Sequence, residues 1–187
     1  MDNPFERQTL NRMAIRMRKG DERAARVIYD TLVQKVFGFC MNRVRERRTA
    51  EDITQEIFLK LVNKIDVFDE KRGSFLSWFW QLARNTVIDY IRSMKNASYS
   101  FSDLPEGNIP EEIAEEQDES FLDIKEELRI VREFVSSLGS EEQEIFELKF
   151  VSDLPYRDIS TITGKNEGAL RVTVNRLRSK IKQHIKK

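Results

Sequence analysis

Apolar residues recur at three- and four-residue intervals through most of the chain, the spacing that gathers them on one face of a helix. In "KGDERAARVIYDTLVQKVFGF" the stripe is Ala24, Ile28, Leu32 and Val36, with Gly20 as a stop and Asp21 placed to cap the helix that carries it. Thr49, with Asp52 three residues on, predicts the start of another helix. Its buried stripe is Ile53, Ile57 and Leu61, widened by Phe58, Val62 and Ile65. From Phe75 to Arg92 the apolar residues wrap one broad face that includes Trp80, whereas Trp78 falls at the angle of Gln81, Asn85 and Arg92. The pattern lapses from about Ser98. "SYSFSDLPEGNIPEEIAEEQDES" contains Pro105, Gly107, Pro110 and a run of carboxylates, and it reads as a linker. Periodicity returns near Phe121, and Ser140 with Gln143 predicts a capping box for "SEEQEIFELKF". The expected fold is all-α: two small helical domains, 1–97 and 128–187, joined by an acidic flexible linker over 98–127, the second a helix-turn-helix domain.

Composition narrows the class. Seven glycines and four prolines in 187 residues favour long helices over a turn-rich β architecture. The lone cysteine, Cys40, cannot form an internal disulfide, and no apolar run approaches the roughly 18 residues that span a bilayer. "MDNPFERQTL" lacks the apolar core of a secretion signal, so the chain is expected in the cytoplasm. The formal net charge of zero conceals segregation. Residues 1–48 carry twelve Lys/Arg against six Asp/Glu, 103–127 one against eleven, and 149–187 ten against three. Two basic ends thus flank an acidic middle, a pattern shared by solvated faces and by nucleic-acid binders.

"LPYRDISTITGKNEGALRVTVNRLRSKI" reads as a helix, a turn around Gly164 and a second helix capped by Asn166. On the second helix Leu170, Val174, Leu177 and Ile181 share one narrow face, and Gly168, Arg171, Val172 and Asn175 point the opposite way. A helix-turn-helix places the start of its second helix in the major groove, where arginine can fork onto guanine and an apolar group can touch a thymine methyl. Arg171 and Val172 suit those roles, with Arg176, Arg178, Lys180 and Lys182 available to phosphates. An ordinary surface helix with basic residues near its end is the competing reading.

The amino-terminal part offers two more polar faces. Asp52, Gln55, Glu56, Lys60 and Asn63 surround Leu59, which is either an isolated exposed leucine or the apolar centre of a protein interface with a polar rim. Trp78, beside amides and cations, either completes a small core or offers a ring on which an unpaired base can stack.

"TAEDITQEIFLKLVNKIDVF", "GSFLSWFWQLARNTVIDYIRS" and "LPYRDISTITGKNEGALRVTVNRLRSK", in this order with a linker after the second, resemble a bacterial RNA polymerase sigma factor. The likeness is to the extracytoplasmic-function type, group 4 of the sigma-70 family, and it covers nearly the whole chain. The resemblance implies a transcription initiation subunit rather than an enzyme, with no cofactor or metal. It implies that Asp52, Gln55, Glu56, Leu59 and Lys60 dock on the clamp helices of the polymerase's largest subunit, the second domain reaching the flap of the second-largest. It implies contacts to the minus-ten element from Phe68, Trp78, Asn85 and Arg92, with Phe68 and Asn85 at a pocket for a flipped base. It implies minus-thirty-five contacts from Lys165, Arg171, Val172, Asn175, Arg176 and Arg178. An anti-sigma factor is a further expected partner.

The chain also departs from the family pattern. Ser160, Thr163 and Lys165 stand where Ala, Leu and a β-branched residue are usual, and Thr173 replaces a usual basic residue of the recognition helix. In the family the linker threads the RNA exit channel. About 31 residues at about 3.3 Å each reach roughly 100 Å, ample for promoter elements one and a half DNA turns, roughly 52 Å, apart. The alternative function is a stand-alone helix-turn-helix transcriptional regulator, which binds duplex DNA without polymerase. An enzyme finds little support: His184 lies in a basic tail, Cys40 has no base near it in sequence, and no phosphate-binding glycine loop is present.

Overall fold

A computed structural model of the chain describes residues 4–98, 131 and 133–185, all-α and with no strand among them. The expected linker falls almost wholly outside the described residues. The amino-terminal half contains α1 (Pro4–Arg18), α2 (Glu22–Val44), α3 (Arg47–Lys64), a 3-10 turn (Ile65–Val67) and α4 (Phe75–Ser98). The carboxyl-terminal half contains a helical segment ending at 137, α5 (Ser140–Phe146) with a π-helical continuation (Glu147–Val151), α6 (Tyr156–Thr163) and α7 (Glu167–Ile185).

Local chemistry sets most boundaries. Gly20, at φ 84°, closes α1, and the carboxylate of Asp21 then accepts hydrogen bonds from the amides of Arg23 (3.0 Å) and Ala24 (3.2 Å), two of the donors a helix start leaves unpaired. α3 begins earlier than Thr49. Glu46 is its cap, accepting from the amides of Arg48 and Thr49, because its longer side chain reaches back over the first turn. The expected capping box at Ser140 is also corrected. Gly139 occupies the cap position, and the Gln143 amide turns away to donate to the Val135 carbonyl at 2.9 Å, tying α5 to the segment before it.

The amino-terminal core is aromatic. Phe39, Phe68, Phe75, Phe79 and Trp80 are all essentially inaccessible, with Trp80 edge-on to Phe39 (5.2 Å) and Phe79 (5.9 Å). Such ring pairs add about 0.5–1.5 kcal/mol each beyond burial. The Trp80 indole N–H has no hydrogen-bond partner among the described residues, a cost of about 1–3 kcal/mol that the buried ring area must offset. α4 is fixed at its start by polar contacts as well. The Asn11 side chain of α1 accepts from the Phe75 amide at 2.7 Å, and Arg18 donates to the Phe68 carbonyl at 2.9 Å. In the carboxyl-terminal half Ile145, Leu148, Leu154, Ile159, Leu170, Val174 and Leu177 form the centre, as the stripe on α7 requires.

The Asp21 cap carries a pH signature. The Ala24 amide and then the Arg16 guanidinium hold its carboxyl below the ordinary 3.8, so the folded state favours the ionised form. Its contribution is therefore complete above that ordinary value and disappears as pH falls through the lowered one. Asp21→Ala is expected to lower the melting temperature at neutral pH, with wild type and variant converging in acid. A temperature gap that stayed constant down to the acid limit would contradict the assignment.

Candidate nucleic-acid and protein interfaces

The polar face of α3 points to solvent as its periodicity requires. Asp52, Gln55 and Glu56 are exposed, Lys60 leans on Glu56 (2.6 Å), and Leu59 is 61% exposed in their midst. Val62, expected in the buried stripe, is instead 57% exposed one turn from Leu59. It lines an open apolar groove between α2 and α3 with Met17, Ala25, Tyr29, Phe58 and Leu61. The groove escapes a one-helix reading because Tyr29 and Val62 each sit at the margin of a stripe and meet only when α2 packs on α3.

α4 divides its two tryptophans between its two faces. Trp80 is in the core, whereas Trp78 is half-buried, its ring against Phe68 (5.6 Å) and Phe75 (6.0 Å). Gln81, Asn85 and Arg92 are exposed, Arg92 lying 3.8 Å from Asp89. Trp78 is thus braced from behind by two rings, and its exposed edge shares a side with Asn85. Phe68, also expected at the minus-ten pocket, lies beneath this surface. Its ring is 2% exposed and edge-on to Phe75, so the apolar group that this turn presents to solvent is Val67, 70% exposed. A phenylalanine between Val67 and Asp69 gives no local sign of such burial, because the packing partner lies on α4.

The helix-turn-helix is formed by α6, the turn and α7. Gly164 ends α6 at φ 74°, and Asn166 caps α7 by accepting from the Gly168 amide at 2.7 Å. The departures from the family pattern form one structure here. The Ser160 hydroxyl donates to the Lys165 carbonyl (2.6 Å), and the Thr163 hydroxyl accepts from the Lys165 amide (3.4 Å). The turn is closed by side-chain hydrogen bonds. Lys165 itself pairs with Glu141 at 2.8 Å.

On α7, Leu170, Val174 and Leu177 are fully buried and Ile181 partly so, while Arg171, Val172, Asn175, Arg176 and Arg178 are exposed. Two of the arginines lie over rings. Arg171 is 4.7 Å from the Tyr156 ring centre and 3.5 Å from Glu167, and Arg178 is 5.7 Å from that of Phe150. A guanidinium resting on a ring has fewer orientations to lose when it binds. Tyr156 is a contributor that α7 alone does not reveal. Cys40 belongs to none of these faces; burial pushes its thiol up to about 11, leaving it protonated and unreactive. Among the described residues there is no cluster of metal-binding side chains and no helix long and apolar enough to cross a membrane.

The family descriptions "Sigma-70 region 2" and "Sigma-70, region 4" match residues 28–97 and 128–181. The ECF RNA polymerase sigma factor BldN of Streptomyces coelicolor is 27% identical over 157 residues, 83% of this chain and 58% of that protein. This chain therefore spans little more than half of that relative. The RNA polymerase sigma factor YlaC of Bacillus subtilis is 22% identical over 160 residues, 86% of this chain and 91% of that protein. Among solved structures, the sigma factor RpoE of Bartonella quintana, in complex with the anti-sigma factor NepR, shares the fold at a TM-score of 0.64. It is 19% identical, over 86% of this chain and 96% of that one.

The turn can be probed without touching the exposed face of α7. A Cβ on Gly164 would meet nothing within 4 Å, so Gly164→Ala is penalised by its left-handed backbone alone. The expected loss is about 1 kcal/mol in urea unfolding. No loss would mean that the turn adopts another conformation in solution.

Proposed function

Because this chain belongs to the sigma-70 family and is an RNA polymerase sigma factor of the extracytoplasmic-function type, we propose that its exposed faces divide the work of promoter-specific initiation among them. The protein binds core RNA polymerase and directs it to promoters. The α3 face, centred on Leu59 with Asp52, Gln55, Glu56 and Lys60 as its rim, takes the clamp helices of the largest subunit. Val62 and the groove beside it extend that face. The exposed side of α4 takes the minus-ten element: Trp78 meets the edge of the opened duplex, Asn85 hydrogen-bonds an extruded base, and Arg92 contacts the backbone. α7 takes the minus-thirty-five element through Arg171, Val172 and Asn175, with Lys165, Arg176 and Arg178 on phosphates. All of this takes place in the cytoplasm. An anti-sigma factor is a further partner, as the Bartonella relative was solved bound to one.

The observation that carries this reading is the pairing, on both α4 and α7, of a fully buried apolar stripe with an exposed face of hydrogen-bonding and cationic groups. Each DNA-facing helix is anchored from behind, so its outward groups are presented rather than packed.

Run-off transcription with purified core polymerase and promoter fragments tests the function. Initiation that depends on both core and this chain is expected; specific duplex binding without core, and no initiation with it, would favour a stand-alone regulator. Single variants separate the faces. Leu59→Asp places a charge at the centre of the docking face, where it would be buried unpaired, and should abolish co-purification with core. The same change should alter folding stability by no more than about 0.5 kcal/mol, since the site is exposed in the free chain. Asn85→Ala should leave closed complexes intact and sharply reduce permanganate reactivity of unpaired thymines, because extruding a base costs a few kcal/mol that Asn85 helps to offset. Arg171→Ala should cost about 1–3 kcal/mol in promoter binding and relax preference at one upstream base pair. Retention of the same selected sequence would reduce Arg171 to a phosphate contact.

A further inference from the structure

Two lysines that the sequence offers to phosphates are engaged by carboxylates of a neighbouring helix. Lys165, in the turn before α7, pairs with Glu141 at 2.8 Å, and Lys180, on α7, donates to both oxygens of Glu142 at 3.2 Å. Glu141 and Glu142 are consecutive residues of α5, which packs on α7. One turn of α5 thus gathers two lysines that lie far apart in the sequence. Lys165 is also held by its backbone: the Ser160 hydroxyl donates to its carbonyl at 2.6 Å, and its amide donates to the Thr163 hydroxyl at 3.4 Å. Only its side chain is left to turn between Glu141 and another anion. The arginines of α7 are not held in this way. Arg176 and Arg178 have no carboxylate partner among the described residues, and Arg171 meets Glu167 of its own helix at 3.5 Å.

We infer that Glu141 and Glu142 are positioning residues that compete with DNA phosphate for Lys165 and Lys180, and so set the sequence-independent part of upstream binding. This role rests on the reading above in which α7 takes the minus-thirty-five element. An ammonium that turns to a phosphate leaves its carboxylate uncompensated beside a negatively charged backbone. Each lysine contact therefore requires the loss of an ion pair. Both pairs reach solvent, the side chains of Glu141 and Lys165 being 65% and 33% exposed and those of Glu142 and Lys180 24% and 43%. A pair of this exposure is worth a factor of about 1.4–5 in an equilibrium and weakens with salt. Phosphate contacts carry no sequence information, so the competition lowers affinity for every sequence alike and leaves the choice among sequences to Arg171, Val172 and Asn175.

Glu141→Gln and Glu142→Gln remove each charge and keep the shape. Holoenzyme formed from this chain and core polymerase is to be bound to a promoter fragment, and to the same fragment with its minus-thirty-five element scrambled, at several salt concentrations. Each variant should bind both fragments about 1.4- to 5-fold more tightly than the wild type at low salt, with the ratio between fragments unchanged. The gain should fade as salt rises. Lys165→Gln should abolish the gain from Glu141→Gln, and Lys180→Gln that from Glu142→Gln, because each coupling exists only within its own pair. Circular dichroism should show unchanged helix content throughout. No gain, a gain that survives loss of the partner lysine, or an altered ratio between fragments would overturn the inference. The free chain on heparin, a sulfated polyanion, tests the competition without a promoter. Each glutamine variant should need more salt for elution, and loss of the partner lysine should cancel the shift. That coupling on heparin, with a wild-type holoenzyme that does not distinguish the two fragments, would support the competition and count against the minus-thirty-five reading. Absence of the coupling on heparin would overturn the competition itself.

Discussion

The structure depends on one constraint: α4 must be held rigidly by one face while the opposite face stays open. The aromatic cluster meets it. Phe75, Phe79 and Trp80 project from α4 into rings supplied by α2, α3 and the turn after α3, each within about 6 Å of a neighbour by centroid. Large flat rings fix a helix in rotation as well as in position, because a small roll would expose one and crowd another. The outward angle of Asn85 and the half-buried pose of Trp78 are consequences of that packing. Leucines at the same positions would bury area but specify the rotation less sharply.

α7 solves the same problem with smaller groups. Leu170, Val174 and Leu177 bury a narrow stripe against α6 and α5, and the polar turn from Ser160 to Lys165 sets the angle between the two helices. Polar residues in a turn usually apolar in the family need not weaken it, since each hydroxyl there finds a partner. The arginines of the exposed face then rest on Tyr156 and Phe150, so this surface of the carboxyl-terminal half combines cations from one helix with rings from the segments before it.

Most of the fold was legible in the sequence because most helices are two-faced. The stripes Ala24–Val36, Ile53–Leu61 and Leu170–Leu177 are buried as periodicity demands, and Asp21, Gly164 and Asn166 mark their boundaries. Errors arose where a tertiary partner decides. Glu46 displaces Thr49 as a cap through its reach, Gln143 is drawn away to Val135, and Val62 is left exposed because no other helix covers it. Phe68 is buried by α4, which its own turn does not reveal. The contacts between halves were wholly hidden. Glu144 and Glu147 look like a solvated helix face, and their partners lie 60 and 104 residues away.

That long-range pairing fastens the two halves to each other while Leu59, Asn85 and Arg171 stay exposed on α3, α4 and α7. The most direct measurement is hydroxyl-radical footprinting of promoter DNA with this protein, alone and together with core polymerase. Protection over both the minus-ten and minus-thirty-five elements that requires core is the predicted result. Protection of one element only, or equal protection without core, would contradict the account.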